Sequence, residues 1–222
     1  MPCRTSGLRR RNVLGLLAVG ALAATQVSAA GLSAGPPEAG AMVLDFARRL
    51  GAALAAAERT GEAAAIAIGP VLGAHADLPR IGRLVLGRHW RTAAAAERTR
   101  YLELFSYHLA HLLARQLSAG ARDGLDPERL QLVAVNPAGA GGQLVRTRLD
   151  RQDGPALAID WQLRPDGNGQ LRVIDLTLGG VSMLLTQRAE VAAVIERQGI
   201  EGLLETLAAA RDDSWSPLPA SI

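Results

Sequence analysis

The sequence contains no lysine, and its single cysteine, Cys3, lies close to the amino terminus. All residues of permanent positive charge are therefore arginines. Cys3 precedes the first apolar run, which is too early for the lipid-modified cysteine of a lipoprotein. If the leader described next is removed, the remaining chain has no thiol, which excludes disulfide bonds, a cysteine nucleophile and thiolate metal sites.

Acidic residues are also missing from the amino-terminal segment, where the first is Glu38. Arginines stand at positions 4, 9, 10 and 11, and residues 13–24 form an apolar run that is too short to span a bilayer. Small residues at positions 27–29 fit a cleavage site. We predict a signal peptide over residues 1–29; a retained anchor is the alternative, and the export route, general secretion or twin-arginine, stays open.

Positive charge is concentrated in this leader. Without its four arginines the chain has 24 − 4 = 20 basic residues against 21 acidic ones, a net charge of about −1. Nucleic-acid binding needs a basic face or stripe, so we predict no nucleic-acid partner. Aromatic residues make up only 3% of the chain, so any interior wall is mostly aliphatic.

Apolar residues recur at helical intervals in the first part of the mature chain. Residues 30–40 are rich in Gly and Pro and predict a flexible amino-terminal segment. Apolar residues at helical intervals predict a helix over residues 41–58, and Ala-rich residues 62–72 predict a second helix. We expect Gly69 and Pro70 to disrupt this second helix.

Capping residues mark the next two helices. Asp77 is a suitable N-cap with Pro79 in the first turn, and Gly87 is a suitable C-cap. Thr92 is expected to cap the longest helix, over residues 93–118.

The pattern changes to strands after residue 127, and the third strand alternates best between apolar and polar residues. Short turns join the strands, and the turn over residues 165–169 (PDGNG) is typical of a hairpin, so the sheet is predicted to be an antiparallel meander. The four predicted strands cover residues 130–135, 143–149, 156–164 and 170–178.

Two helices follow the strands. Ser182 is expected to cap a helix that runs to residue 197, Gly199 separates it from a last helix over residues 200–210, and residues 211–222 are expected to be a disordered tail. Helices, then strands, then helices predict an α+β fold in which helices cover the apolar face of the sheet.

Two segments resemble the MlaC (toluene-tolerance) family. The first is ADLPRIGRLVLGRHWRT over residues 76–92, with Phe105 downstream. The second is VIDL at 173–176, followed by GVSML at 180–184, Arg188, and GIEGLL at 199–204. Their order and spacing match the family over residues 41–210, which we take as one lipid-carrier-like domain.

The resemblance implies a fold, a ligand and partners. The fold is an NTF2- or cystatin-like curved sheet of four antiparallel strands that encloses an apolar pocket. The function is a monomeric periplasmic phospholipid shuttle between an outer-membrane lipoprotein complex and the inner-membrane MCE-domain protein of an ABC transporter. It is not an enzyme and needs no cofactor, metal or catalytic residue. Carriers of hopanoid or other isoprenoid lipids, and a small NTF2-like periplasmic enzyme, are the alternatives.

The residues expected to contact lipid are aliphatic or aromatic and lie on the long helix, the third and fourth strands and the start of the following helix. From periodicity alone a closed core is favoured over a cavity, and only the family resemblance reverses that order. They are Phe105, Leu109, Leu157, Ile159, Trp161, Leu163, Leu171, Val173, Val181, Leu184 and Leu185.

Four arginines, Arg80, Arg83, Arg88 and Arg91, lie along one stretch. They form either a solvated helix face or a docking surface for an acidic partner or for lipid head groups; we take the docking surface as the prediction to test.

Three other groups of residues carry possible chemistry. His108 and His111 share a helix face, but no third ligand is near in sequence, so solvated or hydrogen-bonded histidines are favoured over a metal site. Gly180-Val181-Ser182 begins like a nucleophile elbow but lacks the second glycine, which favours a helix cap. Asp175 is expected to pair with an arginine such as Arg188, although a catalytic acid is the alternative.

Overall fold

Five antiparallel strands form one sheet in the order β1-β2-β3-β4-β5. A computed structural model describes residues 37–57, 61–119, 127–151 and 154–211. The strands are β1 (Leu130–Pro137), β2 (Gln143–Leu149), β3 (Leu157–Pro165), β4 (Leu171–Leu178) and β5 (Val181–Ser182). The four predicted strands are therefore present, and a fifth of two residues extends the sheet. The predicted α+β class is confirmed.

Helices precede and follow the sheet along the chain. They are α1 (Pro37–Ala56), α2 (Gly61–His75), α3 (Leu78–Leu86), α4 (His89–Thr92), α5 (Ala95–Ala119) and α6 (Met183–Arg211), with a 3₁₀ turn at Pro127–Arg129. Among the described residues, no helix is long and apolar enough to cross a bilayer. The predicted signal peptide and nearly all of the predicted carboxy-terminal tail lie outside the described residues.

Helix α1 begins earlier than the sequence analysis predicted. It starts at Pro37, and Ala39 and Gly40 are already buried. Proline is well tolerated in the first turn of a helix, because its missing N–H has no helical partner there. Residues 37–40 are therefore helical, which corrects that part of the predicted flexible segment.

Helix α2 continues through Pro70, so the predicted disruption is wrong. Proline removes the hydrogen bond to the carbonyl of the residue four positions back, here Ile66. Ile66 is 61% exposed and Pro70 is also exposed, so water can reach this side of the helix. The Ile66 carbonyl, which has no helical N–H partner, therefore faces solvent instead of the core.

Helix α3 begins and ends at the predicted residues. The Asp77 side chain accepts a hydrogen bond from the Arg80 backbone N–H at 3.1 Å, and Gly87 donates its N–H to the Arg83 carbonyl. Gly87 has φ = 56°, a backbone conformation that favours glycine. The expected cap of α5 is wrong, because Thr92 ends α4 and donates to the His89 carbonyl. The Glu97 carboxylate instead accepts the Ala94 N–H.

The helices and one face of the sheet share a hydrophobic core. Tyr101 and Phe105 of α5 are fully buried, and the Tyr101 hydroxyl donates to the Gly82 carbonyl of α3 at 3.1 Å. On the sheet, the buried residues of β3 alternate with half-buried or exposed ones. This alternation turns one face of the sheet toward the helices and the other toward solvent.

Candidate functional site: an apolar cavity

A cavity of about 390 Å³ lies between the inner face of the sheet and the covering helices. All the helices that surround it except the short α4 contribute side chains, as do β2, β3 and β4. The lining residues are Phe46, Leu50, Leu72, Ala76, Ile81, Val85, Phe105, Leu109, Leu112, Leu113, Gln116, Leu149, Arg151, Leu157, Ile159, Trp161, Val173, Ile174, Asp175, Leu176, Leu178, Met183, Leu184 and Gln187. All but four of these side chains are apolar.

The sheet wall is built from pairs of residues opposite each other in β3 and β4. Trp161 pairs with Leu176 and Ile159 with Leu178, and all four side chains line the cavity. Between Gln162 and Leu163 the register shifts by one residue, which leaves Ile174 as a β-bulge. Bulges bend and twist a strand, and both Val173 and its neighbour Ile174 are buried in this wall.

The indole of Trp161 keeps its polar atom out of the cavity. Its Nε1–H donates to Thr147 Oγ1 at 2.9 Å, and the Thr147 hydroxyl donates to the Ile159 carbonyl at 3.1 Å. A buried indole N–H needs such a partner. Because that partner lies in the neighbouring strand β2, the indole can present apolar surface to the cavity.

The helical wall contacts the sheet through aromatic side chains. Phe46 of α1 meets Trp161 edge to face, with ring centroids 5.8 Å apart, and stacks on His75 of α2 at 4.9 Å. His75 Nδ1 is 2.9 Å from the Val71 carbonyl oxygen. These contacts hold α1 and α2 over the sheet at one side of the cavity.

Asp175 fixes the start of α6 against β4. Its carboxylate accepts hydrogen bonds from Ser182 Oγ at 2.6 Å and from the Leu184 N–H at 2.9 Å. Ser182 Oγ in turn accepts the Leu185 N–H at 3.1 Å. The predicted helix cap at Ser182 is therefore confirmed, and a carboxylate at the positive end of a helix is stabilised by the helix dipole.

The predicted Asp175–Arg188 pair is wrong. Asp175 takes its partners from the helix amino terminus, while Arg188 is exposed and lies against Gly87, where an added Cβ would be 3.2 Å from Arg188 Nε. Asp175 therefore contacts the amino terminus of α6, whereas Arg188, further along α6, lies against Gly87.

A polar pair, Gln187 of α6 and His108 of α5, lies beside the cavity. Gln187 is 3% exposed, its Oε1 lies 3.1 Å from His108 Nε2, and its amide donates to Glu190. Burial lowers the pKa of His108, and the hydrogen bond to Gln187 opposes this shift in part. Within the described residues no group of three or more His, Cys, Asp or Glu side chains could hold a metal ion.

The cavity reaches solvent at one end. Of its lining residues only Gln116, near the end of α5, and Arg151, just after β2, are exposed. Leu157 and Leu178 lie at the same end of the sheet, because β2 and β4 end there and β3 begins there. This end is the mouth of the cavity.

Seven of the eleven predicted lipid-contact residues line the cavity. They are Phe105, Leu109, Leu157, Ile159, Trp161, Val173 and Leu184. Contact of these residues with lipid stays a prediction.

The other four residues lie elsewhere, so they are not part of this wall. Leu163 is fully buried and Leu171 half-buried near the hairpin, at the far end of the sheet from the mouth. Val181 and Leu185, on either side of the cap at Ser182, are 59% and 61% exposed.

Sequence reasoning missed much of the helical wall. Phe46 and Leu50 of α1 and Ile81 and Val85 of α3 line the cavity. Their helical spacing identified them as buried residues but could not assign them to a cavity instead of the core.

The four arginines predicted as a docking surface differ in their surroundings. Arg80 is half-buried and donates to the Pro165 carbonyl at 3.3 Å, and Arg88 forms an exposed ion pair with Glu196 at 3.1 Å. Arg83 and Arg91 are exposed. The exposed part of the stretch is therefore Arg83, Arg88 and Arg91.

Known proteins resemble this chain in fold and in sequence. A solved structure of a phospholipid-binding protein from Ralstonia solanacearum in complex with a phospholipid has a TM-score of 0.61, with 21% sequence identity over 78% of this chain and 96% of that one. At this identity the likeness concerns the fold. The family model described as MlaC protein matches residues 46–209, well over half of the sequence. The chain therefore belongs to the MlaC family.

Proposed function

We propose that this protein is a periplasmic phospholipid carrier that holds the acyl chains of its ligand in the apolar cavity. The observation that carries this proposal is a cavity of about 390 Å³ whose wall is apolar except at Gln116, Arg151, Asp175 and Gln187. Its volume lies within the range of about 300–1,000 Å³ usual for ligand pockets. The phospholipid bound to the similar Ralstonia solanacearum protein gives independent support.

The physical need for such a cavity follows from the cost of exposing acyl chains to water. Two chains contain roughly 30 methylenes, and at about 0.8 kcal/mol each their exposure costs on the order of 20 kcal/mol. A lipid crosses an aqueous compartment only if most of this surface is enclosed. Aliphatic lining side chains suit flexible chains better than a rigid planar ligand.

Transport without catalysis is the second part of the proposal. Asp175 and Ser182, the candidate acid and the candidate nucleophile, are hydrogen-bonded to each other and to the amino terminus of α6. Both are thereby used in a structural cap, which favours a binding protein over the alternative of an NTF2-like enzyme.

The third part concerns location and partners. The predicted signal peptide directs the chain to the periplasm, where we propose that it works as a monomer. It would shuttle lipid between an outer-membrane lipoprotein complex and the inner-membrane MCE-domain protein of an Mla-type ABC transport system. Arg83, Arg88 and Arg91, exposed along α3 and α4, are the proposed docking surface for these partners.

Mass spectrometry of an organic extract tests the ligand. The mature protein is purified from periplasm without detergent, and near-stoichiometric phospholipid is the expected result. A hopanoid or other isoprenoid would keep the carrier but change its ligand class. Absence of any lipid, together with failure to load from vesicles, would refute the carrier function.

Charge reversal tests the docking surface. Replacing Arg83→Glu and Arg91→Glu should weaken binding to the MCE-domain protein severalfold, and added salt should weaken wild-type binding in the same direction. Arg146→Glu, on the solvent face of β2, is the matched control. Equal binding by all three proteins would contradict this assignment without affecting the cavity.

A further inference from the structure

We propose that the cavity is one acyl chain wide, so that the lipid it carries is a lysophospholipid, which is a phospholipid with a single acyl chain. This inference rests on the proposed carrier function and narrows its ligand. The observations that carry it are the volume of the cavity and the distance over which its lining residues extend.

The volume of the cavity limits how much hydrocarbon it can enclose. A methylene group fills roughly the same volume as a water molecule in the liquid, which is about 30 Å³. The cavity of 390 Å³ therefore holds about 13 methylenes. The two chains of a diacyl phospholipid, with roughly 30 methylenes, would need about 900 Å³. The cavity encloses less than half of them.

The length of the cavity agrees with this number. On the sheet, its lining residues extend along β4 from Val173 to Leu178, five steps of about 3.3 Å, which gives about 17 Å. On α5 they extend from Phe105 to Gln116, eleven steps of about 1.5 Å, which gives the same length. An extended chain advances roughly 1.2 Å per bond, because the three backbone bonds of a residue span about 3.6 Å. The cavity therefore takes about 14 carbons in a row.

Volume and length together give the width of the cavity. A volume of 390 Å³ over a length of about 17 Å corresponds to a mean cross-section of about 23 Å². A methylene of about 30 Å³ that advances its chain by roughly 1.2 Å has a cross-section of about 25 Å². Two chains therefore cannot lie side by side in this cavity.

Hydrogen bonds between the walls hold this width. The Asp77 N–H donates to the Val173 carbonyl at 3.0 Å, which fixes the start of α3 against β4. The Tyr101 hydroxyl joins α5 to α3, and the Asp175 carboxylate joins β4 to the start of α6. A second chain would need roughly the same volume again, so these walls would have to separate to admit it.

The cost of an exposed chain then selects the ligand. A diacyl phospholipid with one chain in the cavity leaves the other chain, roughly half of its apolar surface, in water. A lysophospholipid with the same head group has no second chain to expose. Its single chain is enclosed, and its head group lies at the mouth near Gln116.

Two lipids with equal numbers of acyl carbons test the width. Tetradecanoyl lysophosphatidylglycerol and diheptanoyl phosphatidylglycerol have the same head group, but only the second has two chains side by side. Binding of each to lipid-free protein is measured by calorimetry below the concentration at which micelles form. The lysophospholipid should bind at least about tenfold more tightly, because only one heptanoyl chain fits the cavity and each enclosed methylene contributes about fourfold.

The inner end of the cavity provides a second test. Ala76 lines the cavity and forms a β-bridge with Val173, about 17 Å along β4 from Leu178 at the mouth. In a series of lysophosphatidylglycerols, affinity should rise about fourfold per methylene up to about 14 carbons and then level off. Ala76→Leu adds three carbons at the inner end and should move this limit to about 11 carbons.

Ala189→Leu is the matched control for this substitution. Ala189 is exposed on α6 and is not among the lining residues, so its variant should keep the wild-type limit. Thermal melts confirm that each variant is folded.

The possible outcomes separate the two proposals. If the diheptanoyl lipid binds as tightly as the lysophospholipid, or if Ala76→Leu keeps the wild-type limit, the carrier function stands and the single-chain cavity is refuted. Tighter binding of tetradecanoate than of the lysophospholipid would overturn the assigned ligand in favour of a fatty acid. If wild type binds no lipid at all, the carrier function fails, and the single-chain ligand fails with it.

Discussion

Replacing Val173→Trp distinguishes an open cavity from a closed core. Val173 lies in β4, is buried and lines the cavity. In a closed core the larger side chain would force neighbours apart, at a typical cost of about 1–3 kcal/mol or more. In the cavity the indole occupies volume that a ligand would otherwise fill.

The expected magnitude follows from the cavity volume. Cavities destabilise a folded protein by about 24 cal/mol per Å³, so filling even ~40 Å³ of the 390 Å³ recovers about 1 kcal/mol. This gain offsets part of the local strain. We therefore expect the free energy of unfolding of lipid-free Val173→Trp to lie within about 1 kcal/mol of wild type, while lipid loading is lost.

The control is Val145→Trp in strand β2 of the same sheet. Val145 is fully buried but does not line the cavity, so the same enlargement should destabilise this variant by several kcal/mol. Urea denaturation gives the free energies of unfolding, and loading from phospholipid vesicles gives the binding. Added lipid should raise the melting temperature of wild type and leave that of Val173→Trp unchanged.

One result would refute the reasoning. If Val173→Trp is destabilised as strongly as Val145→Trp, the space beside β4 cannot accept an added group. Unchanged lipid loading by a folded Val173→Trp would show instead that the ligand lies elsewhere.

Two further predictions concern stability. Ser182→Ala removes the hydroxyl that bonds both Asp175 and the Leu185 N–H, and it should lower the free energy of unfolding by about 1–2 kcal/mol in urea denaturation. The control, Thr186→Ala, loses only a hydrogen bond to a helical carbonyl and should lower the free energy of unfolding by less than about 0.5 kcal/mol. Equal losses in the two variants would contradict the role of the cap. Because burial lowers the pKa of His108 below its usual 6.5, the unfolded chain binds the proton first as pH falls. The contribution of His108 to the free energy of unfolding should therefore be constant well above pH 6.5 and decline below it. The decline of the total free energy of unfolding below pH 6.5 should be smaller in His108→Gln, and an identical pH profile would contradict the assignment.

Local signals in the sequence predicted much of the framework. The alternation of β3, the hairpin turn and the caps at Asp77, Gly87 and Ser182 each depend on residues close in sequence. In the hairpin, for example, the Asp166 carboxylate accepts the N–H groups of Asn168 and Gln170. Both partners of such a contact lie within a few residues of each other, so the sequence pattern alone predicts the contact.

Features that depend on distant parts of the chain were not predictable in the same way. The bulge at Ile174 arises from pairing with β3, and it places two consecutive residues in the wall where alternation predicts one. The partner of Asp175 depends on where α6 begins in space. Arg188 was a reasonable partner by charge, but it lies against Gly87 of α3.

The cavity was the least predictable feature. Apolar residues at helical and strand intervals are required for a filled core and for an enclosed space alike, so Phe46 and Leu50 carry no sequence signal that distinguishes the two. The family resemblance, and not periodicity, favoured the cavity.

The position of Trp161 makes the protein its own optical reporter. Its indole lies in the cavity wall with its N–H fixed to Thr147, so acyl chains entering the cavity would change the polarity around the ring. The sequence has only two other tryptophans, at positions 90 and 215. With these two replaced by phenylalanine, the fluorescence of a single native side chain would follow the filling and emptying of the cavity in real time, without a labelled lipid.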